Sequence, residues 1–160
     1  MHLLQILTAV LATPGATFGA PVEPGTADVA VLTARQARKQ PPPCTRQNPA
    51  PSEESLKARF DTFVQAFVGP AGRKNITEAF EYIVEDYINH NPIAQNGAKS
   101  AWDILSGIWH NFDHRLLRST ISGDTSWVEY NSGSVIVDRF RWEGGCIVEH
   151  WDVGEKYPVN

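Results

Sequence analysis

The chain has 160 residues, of which 42% are apolar and 10% aromatic, so it can build the core of one domain and is not a wholly disordered chain. Acidic side chains outnumber basic ones by 18 to 14 without a basic stripe, which argues against binding to nucleic acid or to an anionic membrane surface. Two cysteines are too few for a disulfide scaffold or a cysteine zinc site.

The first twenty residues have the form of a secretory signal peptide. Residues 3–12 are a mostly apolar run, shorter than the about 20 residues of a transmembrane helix, and a Pro-Gly pair ends it before a series of small residues. We therefore predict a signal peptide over residues 1–20, cleaved between Ala16 and Ala20, and a secreted protein that does not stay on the membrane after cleavage. A disordered hydrophobic tail is the alternative.

Residues 21–51 have the composition of a disordered tail. Seven prolines and few large apolar side chains lie in this segment, so it cannot bury enough surface to offset its ordering entropy. Its basic residues, among them Arg46, indicate a processing site or a contact with the acidic domain, although a solvated tail is the simpler interpretation. The predicted domain covers residues 52–160.

The domain begins with three predicted helices. Ser52 and Asn75 can cap the first two, and Pro70 and Pro92 lie just beyond their ends. Large apolar side chains recur at helical spacing in all three segments. The helices are predicted over residues 52–68, 75–91 and 97–112.

Four predicted strands follow the helices. They are rich in β-branched and aromatic residues, and turns that contain glycine separate them. The strands are predicted over residues 116–122, 125–130, 134–142 and 146–153. Helices followed by an antiparallel meander predict an α+β domain.

The turn of the last hairpin decides which side chains share a face, because side chains alternate along a strand. A three-residue loop over residues 143–145 pairs Asp138 with His150, whereas a two-residue loop places Arg139 on the face of His150. We favour the three-residue loop, because it also pairs Arg139 with Glu149 as opposite charges on the solvent side.

The favoured register places Asp138, His150 and Asp152 on one face, together with Phe140 and Val148. Two carboxylates and an imidazole on a largely apolar face are suited to general acid–base catalysis, since burial and neighbouring charges can move their pKa values apart. An ion pair of His150 with either aspartate that only holds the sheet together is the alternative.

These residues resemble the SnoaL-like polyketide cyclase family of the nuclear-transport-factor-two-like superfamily. The resemblance lies in DYINHNP at residues 86–92, Gly97, DRFR at 138–141 and IVEHWD at 147–152. It implies a cone-shaped roll of three N-terminal helices on a strongly curved antiparallel sheet with one deep pocket, and a homodimer. It also implies cofactor-free chemistry with a pocket aspartate as acid or base, for which Asp152 is the first candidate and Asp138 the second.

The predicted function is that of a cyclase, isomerase or hydratase acting on a small apolar secondary metabolite, such as a polyketide or a terpenoid. Asp152, Asp138 and His150 are the predicted catalytic residues. The predicted substrate-binding residues, which are a histidine and four aromatic side chains, are His90, Tyr87, Trp102, Trp109 and Phe140. A non-catalytic secreted binder and an effector with a relic pocket are the alternatives.

Neither a metal nor an organic cofactor is predicted. His110 and His114 are four residues apart, as two ligands on one helix face would be, but no recognised ligand pattern surrounds them. The sequence has no phosphate-binding glycine loop and no nucleophile elbow.

Two modifications are predicted for a chain in the secretory route. Asn75, followed by Ile76 and Thr77, is an N-glycosylation sequon at a helix start. Cys44 and Cys146 can form a disulfide in an oxidising compartment, and two unrelated thiols are the alternative.

Overall fold

A computed structural model of the chain describes residues 39–70 and 73–159, which belong to one compact unit. The predicted signal peptide over residues 1–20 and the tail up to residue 38 lie outside the described residues. The helices are α1 (Glu53–Val68), α2 (Ile76–Phe80) and α3 (Ala98–Leu105), with a 3-10 turn over Trp109–Asn111. The strands are β1 (Ile83–Asn89), β2 (Arg115–Ser122), β3 (Thr125–Asn131), β4 (Val135–Glu143) and β5 (Cys146–Trp151).

Helix α1 forms as predicted and packs on the sheet. The Ser52 side chain accepts a hydrogen bond from the Ser55 backbone N–H. Two glutamates in the first turn stabilise the helix because their negative charges lie at the positive end of its dipole. Phe60 and Phe63 are 1% exposed, and the Phe63 ring contacts Phe140 edge-on at 5.0 Å. The helix therefore covers the face of β4 that carries Phe140.

The predicted second helix is wrong beyond its first turns. Asn75 caps α2 as expected, with Oδ1 accepting from the Thr77 and Glu78 amides, but the helix ends at Phe80 and β1 follows. The apolar residues of this run are β-branched or aromatic, which suits a strand, and a short apolar run fits either period. The prediction of three helices followed by a meander fails for this reason, because a strand lies between α2 and α3.

The third predicted helix is shorter than expected. Helix α3 ends at Leu105, and the chain reaches β2 through the 3-10 turn that carries Trp109. The Trp109 indole N–H donates to the Phe67 carbonyl at 2.7 Å, which fixes this connection against α1.

The five strands form one mixed sheet in the order β1-β5-β4-β3-β2, which does not close into a barrel. The predicted antiparallel meander is confirmed, since β2 pairs with β3, β3 with β4 and β4 with β5. Strand β1, however, joins β5 in parallel, with Asn89 beside His150. A purely antiparallel sheet is therefore the wrong description. No helix of the described chain is long and apolar enough to cross a membrane.

The last hairpin has a two-residue turn, so the favoured three-residue loop is wrong. Gly144 and Gly145 both have positive φ, and Glu143 pairs with Cys146. A bulge at Val148 then shifts the ladder, so that Phe140 pairs with His150.

Beyond the bulge, Glu149 and His150 lie on the faces that the three-residue loop would have given them, whereas Cys146 and Ile147 lie on the opposite faces from those expected. Arg141 rather than Arg139 pairs with Glu149. Without the bulge, alternation would place Glu149 beside Phe140 in the core, and burial of that carboxylate would be unfavourable. Charge patterning therefore favours the irregular ladder.

Residues 39–51 lie against the domain and do not continue the predicted disordered tail. Cys44 forms a disulfide with Cys146, and its amide donates to the Ile83 carbonyl at 2.9 Å. The Arg46 Cβ and the Gln47 backbone nitrogen lie so close to Gly144 that a Cβ on this glycine would be 2.9 Å from each of them. A glycine is therefore required at this turn both for its φ of 56° and for the close approach.

Candidate active site

Three polar side chains meet on the inner face of the sheet. Asp138 on β4, His150 on β5 and Asp152 just after β5 each offer an atom within 4.8 Å of the other two. Asp138 is 2% exposed, and His150 and Asp152 are half-buried. We call these residues the acidic cluster.

Asp138 is the most deeply buried member of the cluster. Its Oδ1 faces His150 Nε2 at 3.1 Å, whereas Oδ2 has no hydrogen-bond partner among the described residues. Burial raises the pKa of Asp138, and the negative charge of Asp152 acts in the same direction, while His150 and the Tyr130 hydroxyl oppose the rise. A carboxyl in this environment can hold a proton and donate it to a ligand.

Aromatic rings enclose the cluster. His150 lies between Phe140, whose ring centroid is 4.9 Å away, and Tyr87, at 6.4 Å, with the rings nearly parallel in both pairs. Burial, together with the charges of Asp138 and Asp152, raises the pKa values of Tyr87 and Tyr130 well above the ordinary value. Both tyrosines therefore keep their hydroxyl protons.

Two asparagines that the sequence analysis did not single out hold the cluster in place. The Asn89 Oδ1 faces His150 Nδ1 at 3.1 Å, and Asn91 Nδ2 donates to Asp152 Oδ2. Asn89 ends β1 and Asn91 follows it, so the parallel pairing with β5 places them beside the cluster. Both asparagines belong to the DYINHNP run, but the predicted helix over residues 75–91 does not place them beside β5.

His90 is not part of the cluster. It follows Asn89 and therefore points to the opposite face of the sheet, where Nε2 lies 2.8 Å from a Glu149 oxygen and the ring stacks on Trp151. A contact between His90 and a ligand of the acidic cluster is not supported by this geometry.

The two predicted tryptophans lie elsewhere in the core. Trp102 packs edge-on against Phe80, where α2 meets α3. Trp109 stacks on Phe67 and lies 4.2 Å from the His114 ring. Both side chains are buried.

His114 is a second buried polar group that the sequence analysis left without a role. It is 6% exposed, it packs between Trp109, Phe112 and Tyr130, and neither ring nitrogen has a hydrogen-bond partner among the described residues. Burial, followed by the charge of Lys74, lowers the pKa of His114 to about 4. His110 is exposed, so the two histidines do not form a common ligand pair.

The acidic cluster also has the donor types of a divalent cation site, namely one imidazole and two carboxylates. His150 Nε2, however, is engaged with Asp138 and Nδ1 with Asn89, so neither ring nitrogen is available without a rearrangement. The geometry therefore favours proton transfer between these groups over coordination of a metal.

Comparisons with known proteins find two distant structural similarities and no family. No protein-family model and no curated protein matches the chain. Among solved structures, TsrD from Streptomyces laurentii is 17% identical with a TM-score of 0.45, and the match covers 64% of this chain and 89% of that one. AclR from Streptomyces galilaeus is also 17% identical, with a TM-score of 0.49 and coverage of 63% of this chain and 89% of that one. The resemblance to SnoaL-like cyclases stays a prediction.

Proposed function

We propose that the protein is an enzyme that modifies a small, neutral, apolar molecule by general acid–base catalysis without a cofactor. The observation that carries the proposal is the buried Asp138, whose pKa is raised, in contact with His150 and beside Asp152. Such groups are the acid and base of proton-transfer enzymes, and a buried carboxyl group with a perturbed pKa beside a specific charged partner marks a candidate functional site.

Asp152 is the proposed base. Its Oδ1 is buried and has no hydrogen-bond partner within residues 39–70 and 73–159, so this oxygen can accept a proton from a carbon next to a carbonyl group, or from a water molecule. Asp138 and His150 act on the oxygen that becomes negative, by donating or sharing a proton. Ring closure by an aldol step, double-bond migration and hydration all require such proton transfers, and the first and the last also form a C–C bond or a C–O bond in the substrate.

The surroundings favour an uncharged substrate. Phe140 and Tyr87 supply apolar surface next to the cluster, and no lysine or arginine of the described chain bonds to Asp138, His150 or Asp152. A substrate with a carboxylate or phosphate would meet two acidic groups without a compensating cation. A polyketide or terpenoid secondary metabolite with a carbonyl group has the required character.

The resemblance to the SnoaL-like family supports the same class of reaction, and we further propose a homodimer and a secreted protein. The disulfide between Cys44 and Cys146 supports an oxidising compartment. A secreted binder without catalysis is the second candidate, because an extracellular location favours it.

The test is proton exchange in a simple neutral ketone. The disulfide-bonded protein is incubated with α-tetralone in D₂O, and loss of the protons next to the carbonyl is followed by NMR. We expect Asp152→Asn to lower the exchange rate by about 10²–10⁴-fold, and Asp138→Asn to lower it as well. Glu149→Gln is the control, because this carboxylate lies on β5 next to His150 and faces the side of the sheet opposite to the acidic cluster.

Exchange at the wild-type rate in a variant with both aspartates replaced would refute the assigned roles. Quenching of tryptophan fluorescence by the ketone without any exchange would favour the binder.

A further inference from the structure

The last residue of β1 and the segment that follows it contact the acidic cluster through asparagine side chains. The Asn89 side chain contacts His150, and the Asn91 side chain contacts Asp152. The backbone N–H of Asn89 donates to the Asn96 Oδ1 at 3.0 Å. We call residues 89–96 the asparagine loop. Its hydrogen bonds determine which atom each amide presents to the cluster.

The orientation of the Asn89 amide is fixed by the loop. Its Nδ2 donates to the carbonyls of Ala94 at 3.1 Å and Asn91 at 3.4 Å, so the oxygen is the atom that faces His150. An amide oxygen can only accept a hydrogen bond. The proton in this contact must therefore belong to His150 Nδ1.

That assignment constrains the other side of the ring. With Nδ1 protonated, Nε2 can contact Asp138 Oδ1 favourably only if one proton lies between them, either as imidazolium and carboxylate or as imidazole and carboxylic acid. Loss of that proton would place two lone pairs 3.1 Å apart in a buried site. Asp138 and His150 therefore form a neutral pair that shares one proton.

Asn91 is oriented in the opposite sense. Its Oδ1 accepts from the Ile93 amide at 2.9 Å, which leaves Nδ2 to donate to Asp152. Asp152 Oδ2 is thus an acceptor, and Oδ1, which has no hydrogen-bond partner among the described residues, is left to accept a proton.

We propose that Asn89 and Asn91 are positioning residues that assign opposite roles to the cluster, with the Asp138–His150 pair as the acid and Asp152 as the base. The catalytic meaning of this assignment rests on the proposed function, whereas the proton positions are a property of the free protein. This arrangement again favours a neutral carbonyl compound with its oxygen at the pair and its acidic C–H at Asp152.

The experiment reads the histidine tautomer by NMR on the ¹⁵N-labelled, disulfide-bonded protein without ligand. The nitrogen shifts of His150 distinguish a protonated ring nitrogen from an unprotonated one. We expect Nδ1 of the wild type to be protonated at pH 7, and Asn89→Leu to move the neutral ring toward the tautomer protonated at Nε2. Asn96→Ala is the matched control, because it removes a loop hydrogen bond to Asn89 without touching the ring, and it should keep Nδ1 protonated.

An unprotonated Nδ1 in the wild type overturns the proposal, and so does an unchanged tautomer in a folded Asn89→Leu variant. If that variant fails to fold, Asn89→Asp keeps an acceptor at the same place and must keep Nδ1 protonated. In the ketone assay Asn89→Leu should lower the turnover rate about 10²-fold or more, since a wrong tautomer disables an acid–base histidine. The expected tautomer without any turnover supports the positioning role and refutes the proposed function, so that the two failures are distinguishable.

Discussion

Acidification should destabilise the protein through His114. The folded structure lowers the pKa of this imidazole from its ordinary value of 6.5 to about 4, so the unfolded chain binds more protons between these two pH values. Stability is therefore complete above about pH 6.5 and falls as the pH drops toward 4. By pH 4.5 the two pKa values correspond to a loss of about 2.5 kcal/mol of unfolding free energy.

The substitution His114→Phe isolates this contribution. Phenylalanine keeps an aromatic ring among Trp109, Phe112 and Tyr130 and removes two nitrogens that have no partner in the described structure. The variant should be more stable than the wild type at pH 7, by about 1–3 kcal/mol, because unpaired buried polar groups are costly. Its advantage should grow by about a further 2.5 kcal/mol at pH 4.5.

The assay is urea unfolding followed by tryptophan fluorescence at both pH values. Lys74 and Asp113 also act on His114, but both are present in the wild type and in the variant. Their own titration therefore cancels, to first order, in the difference between the two unfolding free energies. His110→Gln is the control, since it removes an exposed histidine and should change neither stability nor its pH dependence. An equal gap between wild type and His114→Phe at pH 7 and pH 4.5 would show that the imidazole is not kept neutral by burial.

Three further predictions concern the chain outside the acidic cluster. Replacing Cys44 and Cys146 together by serine opens a connection across 102 residues and should lower the unfolding free energy by about 4–5 kcal/mol in the chain-entropy model, as measured by urea unfolding, with reduced wild type as the comparison. Protein made in a eukaryotic host should carry a glycan on Asn75, seen as a gel shift on deglycosylation; Asn75→Asp should lose the shift but keep its melting temperature, because the cap uses Oδ1 whereas a glycan would be attached to Nδ2. N-terminal sequencing of the exported protein should find a start between residues 17 and 21, and an intact Met1 would contradict signal cleavage.

The sequence predicted those parts of the fold whose local signals agree with the tertiary structure. Helix α1 has a cap, a glutamate-rich first turn and a regular apolar stripe, and the meander from β2 to β5 has a glycine turn at each reversal. Strand β1 was missed because its only partner in the sheet is β5, more than fifty residues later. Local periodicity contains no information about a neighbour at that distance.

The site shows the same division. The alternation of side chains along β4 and β5 is enough to predict that Asp138 and His150 share one face. The prediction holds although the turn is wrong, because the extra residue at the Val148 bulge offsets the shorter loop. Asn89 and Asn91 reach the cluster only through the parallel pairing of β1, so no pattern within their own segment identifies them. The burial of His114 likewise depends on rings from a turn and a distant strand.

The strand order has a consequence for the timing of assembly during synthesis. The last strand to leave the ribosome, β5, is an interior strand, and β1 has no other neighbour in the sheet. The N-terminal part of the domain must therefore wait for its sheet partner until β5 has emerged. Since the sequence has two cysteines, an intramolecular bond between them can form only after residue 146 is available, and its presence in a monomer reports that the chain has been made through the start of β5.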